Sequence, residues 1–341
     1  MDDYRAWSNQ SRPERILVIR LQAIGDVIIT LPYVAALKKI LPGVRIDLLT
    51  RIEVAGIPRQ ISCLDNVIAI GGARNRHLHY LTAAARMPTL LSADYDVIAD
   101  LQNSSLSQLI RRMLRPPAWC SFDRFSALPA GVRTRNTLEQ LDLGRINPDF
   151  NLKSREHDRV TDRLRSLGWS PDKPLVVLNP AGFFVTRNWP IENYLEFANR
   201  WLSEYSADTQ FLLIGVDRIR DQAEFLADNL ADRCINLVNQ TTPAEAFSMV
   251  GHASLVLSED SGLMHMAWVS GIPTVALFGS SRGDWSRPLG EHSICLDSSD
   301  LPCGCCMLET CKFGDTHCLT RYSPEDVVNV SLKLLQRLGR I

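Results

Sequence analysis

Short apolar runs alternate with longer amphipathic stretches along most of this 341-residue chain. A continuous run such as ILVI at 16–19 is typical of a strand that is buried on both faces of a parallel sheet. Stretches with apolar residues every three or four positions predict helices instead. The pattern predicts strands at 15–20, 45–49, 66–70, 95–100, 175–179, 210–215, 235–237, 255–257 and 274–278.

Helical stretches separate these strands in both halves of the chain. They lie at 27–40, 54–61, 80–91, 105–114, 136–143, 155–167, 191–205, 220–230, 243–251, 264–269 and 324–338. Strictly alternating strands and helices with short links predict an α/β protein with doubly wound parallel sheets. Residues 1–14 fit neither pattern, and we expect them to be loosely attached.

The chain is long enough for two domains. The Pro-rich link SPDKP at 170–174 indicates a boundary, and Ser323-Pro324-Glu325-Asp326 is a good start for a last helix. The predicted domains are 1–168 and 169–322, followed by a C-terminal helix at 323–341.

Composition narrows the class of protein. Hydrophobic residues make up 45% and charged residues 22%, which is ordinary for a globular protein. No apolar run approaches the roughly 20 residues that span a bilayer, and the polar start lacks the core of a signal peptide, so we expect a cytoplasmic protein. Residues 1–150 hold 19 Lys and Arg against 14 Asp and Glu, an excess that suits an anionic partner. Neither a G-x-G-x-x-G fingerprint after the first strand nor a Walker A motif occurs, which argues against a dehydrogenase or an NTPase. No nucleic-acid partner is expected.

The turn Glu259-Asp260-Ser261-Gly262 follows an apolar strand and precedes an apolar helix. The amides of Ser261, Gly262 and Leu263 would be first-turn donors at the positive end of that helix, where a phosphate can bind. The alternative is that Asp260 and Ser261 only cap the helix.

Three segments resemble the heptosyltransferase family, glycosyltransferase family 9. One is the turn with its continuation, DSGLMH at 260–265, Gly271-x-Pro273-Thr274 and LFG at 277–279; the family usually has Thr where Ser261 stands. The others are ILVIRLQAIGDVIITLP at 16–32 and NPAGFFVTRNWP at 179–190, where the family commonly has Lys in place of Arg187.

The resemblance implies a GT-B fold, with two Rossmann-like domains facing each other across a cleft and the C-terminal helix crossing back to the first domain. It also implies an inverting transfer of heptose from ADP-heptose to a hydroxyl of the lipopolysaccharide inner core. The partners would be ADP-heptose and an anionic core lipid at the inner membrane face, with the enzyme cytoplasmic or peripheral on that membrane. No catalytic metal is implied.

Asp26 follows Gly25 at the end of the first strand, the edge where open α/β sheets place ligands. An acid there also fits a first-turn residue that stabilises its own helix. The resemblance implies that Asp26 is the catalytic base. It implies that Arg187 neutralises the leaving diphosphate, against the alternative of a solvated loop cation.

The remaining candidates divide between donor and acceptor. A lone His on an apolar helix is often a satisfied core residue, but His265 also lies close enough to the turn to reach a phosphate. Basic loops around 74–77 and 133–135 could bind acceptor carboxylates or phosphates. The predicted donor-binding residues are Thr186, Arg187, Gly215, Thr242, Asp260, Ser261, Gly262, Leu263 and His265, and the predicted acceptor-binding residues are Arg74, Arg76, Arg133 and Arg135.

Five of the nine cysteines crowd into 303–318. Cys303 with Cys306, and Cys311 with Cys318, would give four thiolates for a structural zinc or iron, leaving Cys305 over. Disulfides are disfavoured in the cytoplasm, and free thiols without a ligand are the other alternative.

Three rival functions stay open at this point. A nucleotide-sugar epimerase on the same fold would need no acceptor. A binding module could dock through its cysteine cluster and keep a vestigial sugar site. Within the family, the acceptor could be a protein of the autotransporter type instead of a lipid.

Overall fold

The structure, a computed structural model, describes residues 4–72 and 75–341. The chain forms two compact units, Met1–Leu152 and Lys153–Ile341. Each unit is built on one sheet with helices on its faces, so the predicted α/β class with two Rossmann-like domains is confirmed.

One six-stranded sheet organises the first unit. Its strands are β1 (Tyr4–Arg5), β2 (Arg15–Ile19), β3 (Arg45–Arg51), β4 (Asn66–Ile70), β5 (Val97–Asp100) and β6 (Ala118–Ser121). They lie in the order β1-β6-β5-β2-β3-β4, with β1 antiparallel to β6 and the other pairs parallel. Because β2 has a neighbour on each edge and helices on both faces, its apolar run is fully buried, as the sequence pattern predicts.

Four helices cover this sheet: α1 (Ile24–Ile40), α2 (Arg76–Ser92), α3 (Ser105–Leu114) and α4 (Ala130–Glu139). Ala83, Met87 and Leu90 of α2 share one core with Leu106 and Ile110 of α3, against strands β2 to β5. These two helices therefore lie side by side on one face of the sheet. Helices α1 and α4 contact each other.

Three predictions for the first unit are corrected. The helix predicted at 136–143 begins earlier and spans Ala130–Glu139. A 3-10 turn at Pro58–Gln60 replaces the helix predicted at 54–61, because Pro58 lacks an N–H and Gly56 is a poor helix former. The N-terminal stretch is attached within its described part: Tyr4 pairs with Cys120, and the Trp7 N–H donates to the Leu141 carbonyl at 3.0 Å.

The second unit repeats the design. Its strands β7 (Leu175–Asn179), β8 (Gln210–Leu213), β9 (Cys234–Asn236), β10 (Leu255–Glu259), β11 (Thr274–Leu277) and β12 (Ser293–Leu296) form a parallel sheet. The strand order is β12-β11-β10-β7-β8-β9. The first strand of the unit, β7, therefore lies directly beside β10, which carries the predicted phosphate turn.

The helices of this unit are α5 (His157–Ser166), α6 (Ile191–Glu204), α7 (Arg220–Leu230), α8 (Pro243–Val250), α9 (Gly262–Val269), α10 (Gly283–Ser286), α11 (His317–Thr320) and α12 (Pro324–Arg337). Helix α5 buries Val160 and Leu164 and packs on α8. The unit boundary consequently falls at Leu152, ahead of the boundary predicted at residue 168.

The final helix is part of the second unit. Val327, Val328, Leu334 and Leu335 of α12 are buried in the core of that unit, and α12 packs along α6. The prediction placed this helix on the first domain, but its apolar face is buried against α6 and β11 instead. None of the helices in the described ranges is long and apolar enough to cross a membrane.

Candidate functional site

Asp26 occupies the first turn of α1, beyond the carboxyl end of β2. Its Oδ2 accepts the Ala23 N–H at 3.0 Å, so the carboxylate caps its own helix. Its Oδ1 lies 2.7 Å from Nη2 of Arg20, and the side chain is still 39% exposed. The carboxylate is therefore fixed from two sides and remains open to a ligand.

Arg20 was missed by the sequence reasoning. It follows β2 directly, is 6% exposed, and donates from Nη1 to the Leu101 carbonyl. Its guanidinium carbon lies 4.6 Å from the centroid of the Phe122 ring, a cation–π contact. A charged residue at the end of a buried strand was the available signal, because a buried cation requires partners.

A cavity of about 710 Å³ opens over Asp26. Arg133 of α4, a predicted acceptor residue, is in its wall and donates to the carbonyl oxygens of Asp123 at 3.3 Å and Arg124 at 3.4 Å. The Arg133 guanidinium also lies 5.0 Å from the Phe122 ring. The charged residues of the wall are Arg20, Arg51, Arg124, Arg133, Asp26 and Glu53. With more cations than acids, the cavity suits an anionic ligand.

The other predicted acceptor arginines are not brought to this cavity by any described contact. Arg135 is half-buried on α4. Burial raises the pKa of Tyr33 on α1, and the positive charge of Arg135 opposes that rise. Arg74 lies outside the described residues, and Arg76 begins α2. The assignments of these three residues stay predictions.

In the second unit, the predicted phosphate turn joins β10 to α9. Ser261 is the N-cap of α9 and accepts the Met264 N–H at 3.3 Å. Asn179, at the end of β7, donates to the same hydroxyl at 2.6 Å. Ser261 is thus a helix cap whose hydroxyl is held by the neighbouring strand, and it presents the N-terminus of α9, with Gly262 and Leu263, at the carboxyl edge of the sheet.

Asp260 and Arg187 meet at this turn. Nη1 of Arg187 lies 3.5 Å from Oδ2 of Asp260, and the Arg187 side chain is only 12% exposed. The Ser281 hydroxyl donates to the same carboxylate at 2.7 Å. Arg187 also lies 5.0 Å from the Phe184 ring and 3.3 Å from the Met307 sulfur. Arg187 is therefore a held, largely buried cation, which excludes the alternative of a solvated loop residue.

Glu259 holds the loop that carries Arg187, and the sequence reasoning missed it. This fully buried carboxylate accepts the N–H groups of Gly182 at 2.5 Å and Trp189 at 2.6 Å. Burial raises its pKa to about 8, against the hydrogen bonds that favour the ionised form. Arg218 braces the same loop by donating to the Ala181 carbonyl at 2.8 Å. An acid at the end of an apolar strand was the only sequence signal.

Thr186 and His265 both make internal contacts. Thr186 is buried, and its hydroxyl is 2.9 Å from that of Ser280 and also donates to the Leu308 carbonyl. His265 is buried on α9, and its Nδ1 accepts from the Trp268 indole at 3.1 Å. The His265 geometry fits the satisfied core residue of the two sequence alternatives.

Gly215 and Thr242 lie beyond β8 and at the start of α8. A Cβ at Gly215 would come 2.4 Å from the Ile219 side chain, so no larger residue fits without a shift. Thr242 is the N-cap of α8 and forms a capping box with Glu245. Their predicted donor-binding roles are not tested by these contacts.

All nine cysteines are free thiols. The four predicted metal ligands, Cys303, Cys306, Cys311 and Cys318, line one cavity of about 500 Å³, to which Asp315 and His317 also contribute. Backbone N–H groups of residues 313 and 316 lower the pKa of Cys311, whereas burial and the three other thiols raise the pKa of Cys318. Cys305 instead donates its N–H to the Ser298 hydroxyl at 3.0 Å. Within residues 4–72 and 75–341, no three His, Cys, Asp or Glu side chains are already arranged to hold a metal ion.

Comparisons with known proteins agree with the fold. Residues 85–317 match the family model described as glycosyltransferase family 9 (heptosyltransferase). Over 350 aligned residues the chain is 25% identical to lipopolysaccharide heptosyltransferase 1 of Pseudomonas aeruginosa, covering 92% of this chain and 96% of that protein.

Two solved structures are similar over nearly their whole length. The glycosyl transferase family 9 structure from Veillonella parvula has a TM-score of 0.79 at 20% identity, with 95% of this chain and 97% of that chain covered. The ADP-heptose LPS heptosyltransferase II of E. coli has a TM-score of 0.69 at 20% identity, covering 95% and 99%. At this level of identity, the structural likeness establishes the fold.

Proposed function

Because the chain belongs to glycosyltransferase family 9, the heptosyltransferases, we propose that it transfers heptose from ADP-heptose to a hydroxyl of the lipopolysaccharide inner core, with inversion at the anomeric carbon. The Pseudomonas relative is a lipopolysaccharide heptosyltransferase, and the E. coli structure is an ADP-heptose enzyme. The reaction would take place at the cytoplasmic face of the inner membrane, where the acceptor lipid is available. Neither an epimerase nor a vestigial binding module is favoured by any observation.

The single observation that carries this proposal is the Asp26 carboxylate, held by Arg20 and Ala23 but open to a cationic cavity. Asp26 accepts the proton of the acceptor hydroxyl as its oxygen attacks the anomeric carbon. The bond from that carbon to the diphosphate oxygen breaks, and ADP leaves. Proton transfer of this kind is typically worth about 10²–10⁴-fold in rate. Arg133 in the cavity wall binds an acidic group of the core sugar, and Arg74, Arg76 and Arg135 stay as further acceptor residues in the proposal.

The donor is bound by the second unit. Arg187 neutralises the diphosphate, before and during departure, together with the N–H groups of Gly262 and Leu263 at the start of α9. Support comes from the Arg187 Nε, which is buried and has no hydrogen-bond partner among the residues that the structure describes. Asp260 holds the guanidinium until the donor arrives. Thr186, Gly215 and Thr242 surround the nucleotide in this proposal, and His265 supports the turn from the core. Charge neutralisation by these groups requires no divalent metal.

We also propose that Cys303, Cys306, Cys311 and Cys318 hold a structural zinc or iron. The four thiols share one cavity, and the N–H groups directed at Cys311 stabilise a thiolate, which is the form that binds metal. Binding would draw the thiolates together and fix the segment 303–318. The ion has no part in the transfer reaction.

The function is tested by following ADP release from ADP-heptose with a panel of truncated core lipids and, separately, with peptide acceptors. Wild type should release ADP only with a core lipid. Asp26→Asn should lower turnover at least about a hundredfold and leave donor affinity within a few-fold, because it removes proton acceptance but keeps the shape. Asp142→Asn, which makes the same change at an exposed residue of the same unit, is the matched control and should turn over like wild type.

Three outcomes would contradict the proposal. Near-normal turnover of the Asp26→Asn variant would remove Asp26 from the mechanism. Conversion of the donor without any acceptor would indicate an epimerase. Release of ADP with peptides but not with core lipids would indicate a protein acceptor.

A further inference from the structure

Helices α2 and α3 present one continuous outer surface. Their buried residues belong to a single core on one face of the first sheet, so their outer sides point away from that sheet in the same direction. Several large apolar side chains are exposed on these outer sides, where an ordinary surface helix carries mostly polar residues. Leu78 is 46% exposed, Leu81 65% and Met113 49%, and Leu91 and Leu109 are also exposed.

The charges on this α2–α3 surface have one sign. Neither Arg76–Ser92 nor Ser105–Leu114 contains an Asp or Glu, and the first acid after α2 is Asp94. Arg86 and Arg112 are exposed on the two helices, and Arg115 is exposed just beyond α3. Exposed leucines next to arginines, without acids, are typical of helices that lie in the headgroup region of an anionic bilayer.

The N-terminal ends of the same two helices open on a second cavity. It has a volume of about 450 Å³ and is lined by His79 and Tyr80 of α2 and by Ser105 and Leu106 of α3. Gln22, Arg51 and Gln102 line both this cavity and the one that contains Asp26. Arg51 donates to the Gln22 side chain at 2.6 Å, and the Gln22 N–H donates to the Gln102 side chain at 3.1 Å, so the two cavities share one hydrogen-bonded wall.

We propose that the α2–α3 surface docks on an anionic phospholipid bilayer, and that the second cavity admits the sugar end of a membrane-anchored acceptor toward Asp26. This inference rests on the proposed function for the nature of the acceptor. Charge complementarity identifies the occupant: a second copy of the same surface would bring Arg86, Arg112 and Arg115 against like charges, whereas anionic headgroups neutralise them. The leucines enter the boundary between headgroups and acyl chains.

The test measures co-sedimentation of the full chain with vesicles of phosphatidylcholine alone or with about a third phosphatidylglycerol. We expect binding that needs the anionic lipid and weakens with salt, because the cations act through screened electrostatics. The double variant Leu78→Glu/Leu81→Glu should reduce the bound fraction at least tenfold. Leu167→Glu, which changes a comparably exposed leucine in the second unit, is the matched control and should bind like wild type.

Activity separates this inference from the proposed function. The double variant should turn over a detergent-free, delipidated core oligosaccharide at the wild-type rate, but turn over the lipid acceptor in vesicles at least tenfold more slowly. Wild type that uses neither acceptor would refute the proposed function, whatever the vesicles show. Equal binding to both vesicle types, or wild-type binding by the double variant, would overturn the docking surface. A dimer of the free protein that the double variant dissociates would also overturn it, in favour of a second copy.

Discussion

The ion pair between Arg20 and Asp26 allows a sharp test of how Asp26, the proposed base, is held. We propose replacing Arg20 with Met, which keeps an unbranched apolar stem and removes the charge. The change deletes the 2.7 Å contact to Asp26, the hydrogen bond to the Leu101 carbonyl and the cation–π contact with Phe122. Arg20→Lys is the matched control, because it restores a cation without the planar fork.

The magnitude follows from the geometry of the pair. At a charge separation of about 4 Å and an effective dielectric constant of about 20, two unit charges interact by about 4 kcal/mol. The Asp26 side chain is 39% exposed, and water therefore screens the pair. We expect about 1–2 kcal/mol to remain, which corresponds to roughly a tenfold change in rate.

The assay is kcat/KM for a core acceptor at saturating ADP-heptose. In Arg20→Met, kcat/KM should fall about tenfold, because the Asp26 carboxylate loses one of its two supports. Arg20→Lys should recover part of this loss. An unchanged kcat/KM in Arg20→Met, with folding verified by its melting temperature, would refute a role of Arg20 in positioning Asp26.

Three further predictions concern the second unit. Arg187→Ala should weaken ADP binding in calorimetry at least tenfold and should also lower kcat. Arg187→Lys should recover much of both the affinity and the rate. Wild-type ADP affinity in the Ala variant would remove Arg187 from the donor site. Because burial raises the pKa of Glu259 from its ordinary 4.5 to about 8, the native chain keeps a proton that the unfolded chain releases, and the free energy of unfolding should decrease as pH rises through that window. Urea denaturation at several pH values should show this slope in wild type and not in Glu259→Gln, and the same slope in both would contradict the assignment. Metal analysis should find about one zinc or iron per chain, and chelation or Cys311→Ser should lower the melting temperature. Cys305→Ser is the control and should melt like wild type. Metal-free protein whose melting temperature does not change with chelator would refute the site.

Features that depend on neighbouring residues were predictable from the sequence. The strands at 66–70 and 175–179 are observed as predicted, because a run of apolar residues between turn signals is sufficient to identify a buried strand. The cap at Ser261 and the start of α12 at Pro324 depend on side chains within three residues of the backbone groups they bind. The placement of Asp26 in the first turn of α1, beyond β2, also depends only on the neighbouring sequence.

Tertiary structure decided which distant residues meet. Glu259 binds backbone N–H groups that are 70 and 77 positions away, and this happens because β7 and β10 are neighbours in the sheet. Strand order decides such contacts, and hydrophobic periodicity carries no information about it. The buried state of Arg20 depends likewise on Leu101 and Phe122 of other segments. Helix α12 buries its apolar face in a core that it shares with α6, more than a hundred positions earlier in the chain. The sequence by itself determined the elements and their caps, and only packing determined which residues contact Asp26 and Arg187.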